Sequence, residues 1–236
     1  MNILNLENLC FNYDDLSLLN NICLNLEAGE LIGILGSNGA GKTTLFDLIC
    51  RLKTPSSGKI INAARRQAYL TQILTPPPLL RMNETGELIR HLSSDASPSQ
   101  SEISARLTKW SPSLYKRYNS ISQKKVAHCS YGEVRSFFTL TLLLLQSELI
   151  ILDEPTAGVD AEFRHFIWLA IHSARQEGAS VLVSSHYTEE IAANCDRFYL
   201  LANRQLKSFA SGAQFMALYD ASSLDEAFIK ASVHGD

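Results

Sequence analysis

The chain has 236 residues, 46% of them hydrophobic and 19% charged, with a formal net charge of −3. This is the composition of an ordinary folded soluble protein with enough material for a full core, one domain or one domain with a lobe. The slight acidity removes the electrostatic case for DNA, RNA or an anionic membrane surface as the main partner.

Five cysteines, Cys10, Cys23, Cys50, Cys129 and Cys195, form no C-x-x-C pair and no metal-ligand spacing. Most sit in apolar segments, which points to a reducing, cytoplasmic compartment. The N-terminus Met1-Asn2-Ile3-Leu4 has no basic stretch, so no signal peptide is expected. The most apolar run, Phe137 to Leu145, is too short to span a bilayer. Any membrane association is therefore expected to pass through another chain.

In chain order, residues 3–11 and 22–26 alternate apolar and polar as half-buried strands do. Ala28-Gly29 turns into a buried strand over 31–35, followed by a glycine-rich loop and a helix to about Arg51. After the turn at 54–58, short strands are expected at 59–61 and 67–70. From Asn83 to about Leu145 strand signals vanish. Helices are expected near 87–92 and 102–107, with 93–101 as a solvated loop. Alternation then resumes: strand 149–152, helix 161–176 closed by Gly178, strand 181–183, helix 188–193, strand 198–201 and two short terminal helices. The sum is an α/β chain: a largely parallel core from residues 1–82 and 146–236, with a helical insertion at 83–145.

The loop reads Gly36-Ser37-Asn38-Gly39-Ala40-Gly41-Lys42-Thr43, the phosphate-binding pattern G-x-x-x-x-G-K-[ST], and Thr44 continues it into the helix. Its glycines let the backbone fold into a nest of N–H groups, and the helix start adds its positive end. Lys42 would reach the β/γ-phosphates and the Thr43 hydroxyl would ligate Mg²⁺. Leu149–Leu152 ends in Asp153-Glu154, which puts two carboxylates at the carboxyl edge of the sheet. Asp153 is expected near Mg²⁺ and Glu154 near the attacking water. Ser184-Ser185-His186 ends a third strand at that edge.

With these residues in order, the chain resembles the nucleotide-binding subunits of ATP-binding cassette (ABC) transporters over nearly its whole length. The resemblance implies a phosphate-loop NTPase (RecA-like) core with an N-terminal antiparallel β subdomain and an inserted α-helical subdomain. Tyr13 matches the aromatic that stacks on adenine, and Gln72 the glutamine that contacts Mg²⁺ and water. Asp153 matches the metal ligand, Glu154 the general base and His186 the γ-phosphate sensor. Cys129-Ser130-Tyr131-Gly132-Glu133 stands where the family signature, usually Leu-Ser-Gly-Gly-Gln, would be. Ser130 and Gly132 would then hold the γ-phosphate of the opposite subunit, and Asp160 lies in the loop that communicates across the dimer. Arg135 stands one step early for the arginine usual after the signature.

The implied protein is an ATPase subunit using ATP and Mg²⁺, homodimeric when ATP is bound and paired with a membrane-spanning transporter subunit. The tail Ser223–Ile229 resembles the ending of drug- and lipid-exporter cassettes, which tilts the expectation to export. The alternatives are a heterodimer with one weakened site, because Cys129 and Tyr131 depart from the signature, and a soluble cassette ATPase with no membrane partner.

Overall fold

The computed structural model describes residues 1–14, 16–93 and 98–233. Residues 94–97 of the expected loop lie outside them. The chain begins with an antiparallel pair, β1 (Asn2–Tyr13) and β2 (Leu16–Glu27), which β4 (Ser57–Asn62) extends to a sheet of order β2-β1-β4. Leu4, Leu6, Leu9 and Phe11 of β1 are all buried. A register shift between Leu6 and Leu9, with Asn8 at φ 48°, inserts the extra residue that keeps both halves of β1 facing inward.

The second sheet has the order β5-β6-β7-β3-β8-β9. It comprises β3 (Leu31–Leu35), β5 (Gln67–Leu70), β6 (Leu149–Asp153), β7 (Ser180–Ser185), β8 (Arg197–Ala202) and β9 (Gln205–Phe209). Its pairs are parallel except β8 with β9. Every residue of β3, β6 and β7 is buried, as central strands covered on both faces require. Helix α1 (Lys42–Ile49) follows β3 directly, so the glycine-rich loop sits at the carboxyl edge between strand and helix.

Between β5 and β6 the chain forms α2 (Met82–Ser93), α3 (Gln100–Trp110), α4 (Pro112–Ser122) and α5 (Tyr131–Leu144). The helices expected at 87–92 and 102–107 are longer, and Ser93, Gln100 and Ser101 are helical rather than loop. Ser111 caps helix α4, Pro112 starts it, and its apolar stripe Leu114, Tyr118 and Ile121 is buried. Those residues share one continuous apolar cluster with Phe137 of α5 and Leu152 and Val183 of the sheet. Helices α6 (Ala161–Gln176), α7 (Thr188–Asn194), α8 (Gly212–Leu218) and α9 (Leu224–Val233) complete the chain. Among the described residues no helix is long and apolar enough to cross a membrane.

Candidate nucleotide site

Helix α1 starts at Gly41, which holds φ 106°, a conformation that a side chain would strain. No side chain caps the helix, so its first N–H groups face the loop concavity. Lys42 curls back over that loop, its Nζ donating to Gly36 O at 2.6 Å and Ser37 O at 3.2 Å. The same Nζ lies 3.3 Å from Glu154 Oε1. A cleft of about 360 Å³ opens here, lined by Tyr13, Leu18, Ser37, Asn38, Gly39, Gly41, Lys42, Thr43, Thr44, Gln72 and Glu154. Gly36 is buried beneath it, and Ala40 faces the adjoining groove with Ser37 and Gly39.

Three oxygen-bearing side chains meet at one side of the loop. The Thr43 hydroxyl lies 2.5 Å from Asp153 Oδ2 and 3.3 Å from Gln72 Oε1. Burial pushes the Asp153 carboxyl above its ordinary pKa, against hydrogen bonds from Ser184 and Thr43 that favour the charged form. A hydroxyl, a carboxylate and an amide oxygen are the hard donors that Mg²⁺ takes, and Glu154 Oε1 nearby is buried with no hydrogen bond of its own, only the ion pair to Lys42. The residues present therefore fit a Mg²⁺–nucleotide pair.

Glu154 takes φ 51°, the left-handed region that costs a non-glycine residue about 1–3 kcal/mol. The turn aims its carboxylate back at the loop. Its Oε2 lies 3.0 Å from His186 Nδ1, so Lys42 and His186 flank one buried carboxylate. Two further residues hold this corner. Ser184 Oγ accepts from Glu154 N at 3.0 Å and donates to Asp153 Oδ1 at 2.5 Å. Arg135, fully buried on α5, donates from Nε to Glu154 O at 2.6 Å and from Nη1 to Gln72 O at 2.9 Å, and also reaches Thr71 O and Asp153 O. Sequence reasoning saw Arg135 only as a displaced signature residue. A cation in an apolar helix face leading to Phe137 was the available signal that it has buried acceptors to satisfy.

Tyr13, at the end of β1, is 45% exposed. Phe11 packs edge-on to its ring at 4.9 Å and Lys53 Nζ lies 5.2 Å from its centroid. Hydrogen bonding to Thr44 and to Lys53 lowers the Tyr13 phenol pKa.

Ser130, Gly132 and Asp160 do not line the cleft. Ser130 caps α5 in a reciprocal box: its Oγ accepts from Glu133 N at 3.2 Å and its N–H donates to Glu133 Oε2 at 3.0 Å. Lys124 Nζ pairs with Glu133 Oε1 at 2.6 Å. A Cβ on Gly132 would lie 2.5 Å from Gly158 O, and the Tyr131 ring covers Gly158. Asp160 caps α6 by accepting from Phe163 N at 2.9 Å, with Arg117 at 3.8 Å. The signature residues and the Asp160 loop thus pack on each other, apart from the chain's own phosphate loop.

A parallel sheet with a phosphate loop between β3 and α1, and an acidic pair ending the strand two places away, defines a phosphate-loop nucleotide-binding protein. The family model described as ABC transporter matches residues 19–157. Protein McbF of Escherichia coli is 30% identical over 202 residues, 84% of this chain and 81% of McbF. Nod factor export ATP-binding protein I of Cupriavidus metallidurans is 28% identical, over 84% of this chain and 68% of that protein. A solved structure described as the ATP binding subunit of an ABC transporter superposes with a TM-score of 0.81 at 24% identity, covering 97% of this chain and 99% of the other. The chain belongs to the ABC transporter family and is its ATP-binding domain.

Proposed function

We propose that the chain hydrolyses ATP as the cytoplasmic subunit of an ABC exporter, reaching the cell membrane through a separate membrane-spanning subunit. The observation that carries this is the buried Glu154 carboxylate, turned into the left-handed region and flanked by Lys42 and His186 beside the phosphate loop. Export is supported by the Nod factor export relative and by the Ser223–Ile229 tail.

In this reading adenine stacks on Tyr13, and the phosphates lie in the loop Gly36–Thr43 against the uncapped N-terminus of α1, beside Thr44. Lys42 exchanges its loop carbonyls for β/γ-phosphate oxygens, where a fixed cation matches the charge that grows in the transition state. Thr43, Asp153 and Gln72 would hold Mg²⁺, which when bound supplies further charge neutralisation on the phosphates. Once Lys42 turns to phosphate, the Glu154 carboxylate is free to take the proton of the attacking water. The water oxygen bonds to the γ-phosphorus, the bond to the β–γ bridging oxygen breaks, and ADP and phosphate leave. His186 fixes the Glu154 carboxylate and faces the γ-phosphate.

The site is completed by a second cassette, whose Ser130, Gly132 and Asp160 close on the first chain's nucleotide. A homodimer is proposed, with no nucleic acid involved. Glu154→Gln is expected to bind ATP normally, to lose at least about a hundredfold in turnover and to elute as an ATP-dependent dimer in size-exclusion chromatography. Ordinary turnover in that variant overturns the general-base assignment.

A further inference from the structure

Ser184 sits on β7 directly opposite Asp153 on β6 and beside Ile34 on β3, between the acidic strand and the phosphate-loop strand. It is fully buried, in a strand that is otherwise mostly aliphatic. A hydroxyl in such a place must be satisfied. It is satisfied twice, donating 2.5 Å to Asp153 Oδ1 and accepting 3.0 Å from Glu154 N.

The two bonds do different work. The first occupies one carboxylate oxygen and leaves Oδ2 toward the Thr43 hydroxyl, so Asp153 presents a single oriented oxygen to the cleft. The second gives the Glu154 N–H a partner that the β ladder does not supply, which stabilises the left-handed turn at Glu154. Alanine would leave both a buried carboxylate oxygen and a buried N–H unpaired.

We infer that Ser184 is a positioning residue for both carboxylates: through one hydroxyl it aims the Asp153 oxygen used for Mg²⁺ and holds the Glu154 turn that aims the base. The inference rests on the assignment of Asp153 as the metal ligand. Partners of this kind around metal ligands are typically worth about 10–100-fold in metal affinity or activity.

The test compares Ser184→Ala, Ser184→Thr, Asp153→Asn and Val183→Ala, the last a neighbouring core change away from the carboxylates. Binding of a fluorescent ATP analogue is measured in EDTA and then during a Mg²⁺ titration, alongside turnover and thermal midpoint. Ser184→Ala is expected to bind the analogue in EDTA within about twofold of the unmodified protein. It is expected to need about tenfold more Mg²⁺ for its half-maximal response and to lose at least about tenfold in kcat at saturating Mg²⁺. Ser184→Thr, which keeps the hydroxyl, restores the Mg²⁺ response, and Val183→Ala lowers the thermal midpoint without moving it. The inference is overturned if Asp153→Asn shifts the Mg²⁺ titration while Ser184→Ala leaves it unmoved. It is equally overturned if Ser184→Ala loses EDTA-state binding as strongly as it loses the Mg²⁺ response, which would mark a general collapse of the site. If Asp153→Asn itself leaves the titration unchanged, the metal-ligand assignment falls, and the inference with it.

Discussion

Helices α1 and α5 both begin at sites assigned to phosphate, yet they begin in opposite ways. At α1 the cap is Gly41, no side chain reaches the first N–H groups, and a cleft lies in front of them. At α5 the cap is Ser130, whose hydroxyl is already taken by Glu133 N, with the Glu133 carboxylate folded back on the cap. The first terminus keeps its donors for a ligand that this chain surrounds with Lys42, Asp153 and Glu154. The second satisfies itself locally and adds a carboxylate, which Lys124 neutralises at 2.6 Å. The phosphate-loop edge thus gathers its ligand-facing groups within the chain, whereas the signature edge has a finished helix start and lies outside that cleft. That asymmetry accords with the proposed site shared between two copies.

The largest effect that would sharpen this contrast is expected at Lys42. Lys42→Ala removes the cation from the loop and leaves the buried Glu154 with His186 alone. Loss of more than about a hundredfold in turnover is expected, with a stability loss on the order of 3 kcal/mol by chemical denaturation. Retained turnover would show that the loop edge does not work as a phosphate site.

Arg135→Ala comes next, because four carbonyls would lose a fully buried donor. The expected cost is on the order of 3 kcal/mol, with Glu154 and Gln72 no longer held together. Turnover should fall more than nucleotide binding measured in EDTA; equal losses would reduce Arg135 to a core residue.

Gly132→Val forces atoms onto Gly158 O, 2.5 Å from even a bare Cβ. Binding of ATP to the isolated monomer should be unchanged, while ATP-dependent dimerisation of the Glu154→Gln background is lost. If monomer binding falls instead, the two edges are not separable.

Tyr13→Ala should weaken ATP binding by about tenfold, since stacking of a base on an aromatic is worth roughly 1–3 kcal/mol. Tyr13→Phe should recover most of it in the same titration.

The smallest effect is at Ser130. Ser130→Ala is expected to cost about 1 kcal/mol through the lost cap, and Ser130→Asn to restore it. If Asn restores stability but not ATP-dependent dimerisation, the hydroxyl serves more than its helix.

Much of this was legible along the chain. Gly36–Thr43 declares its loop because glycine spacing and the Lys-Thr pair act within eight residues of backbone. Asp153 and Glu154 were legible because an apolar strand that ends in acids places them at the carboxyl edge of the sheet. Less legible were α4, whose start is set by the Ser111 cap and Pro112, and β9, a mostly exposed edge strand that is defined by pairing with β8.

By itself the sequence determined the local devices: the loop, most of the strands and helices in their order, the acidic strand end and the signature segment. Tertiary structure alone decided which of them meet. The parallel register of β6 on β7 sets Ser184 opposite Asp153, and the packing of α5 on the sheet buries Arg135 against four carbonyls. The turn at Glu154 is held by both. These are contacts across tens of residues, set by burying apolar faces together, and no local propensity encodes them.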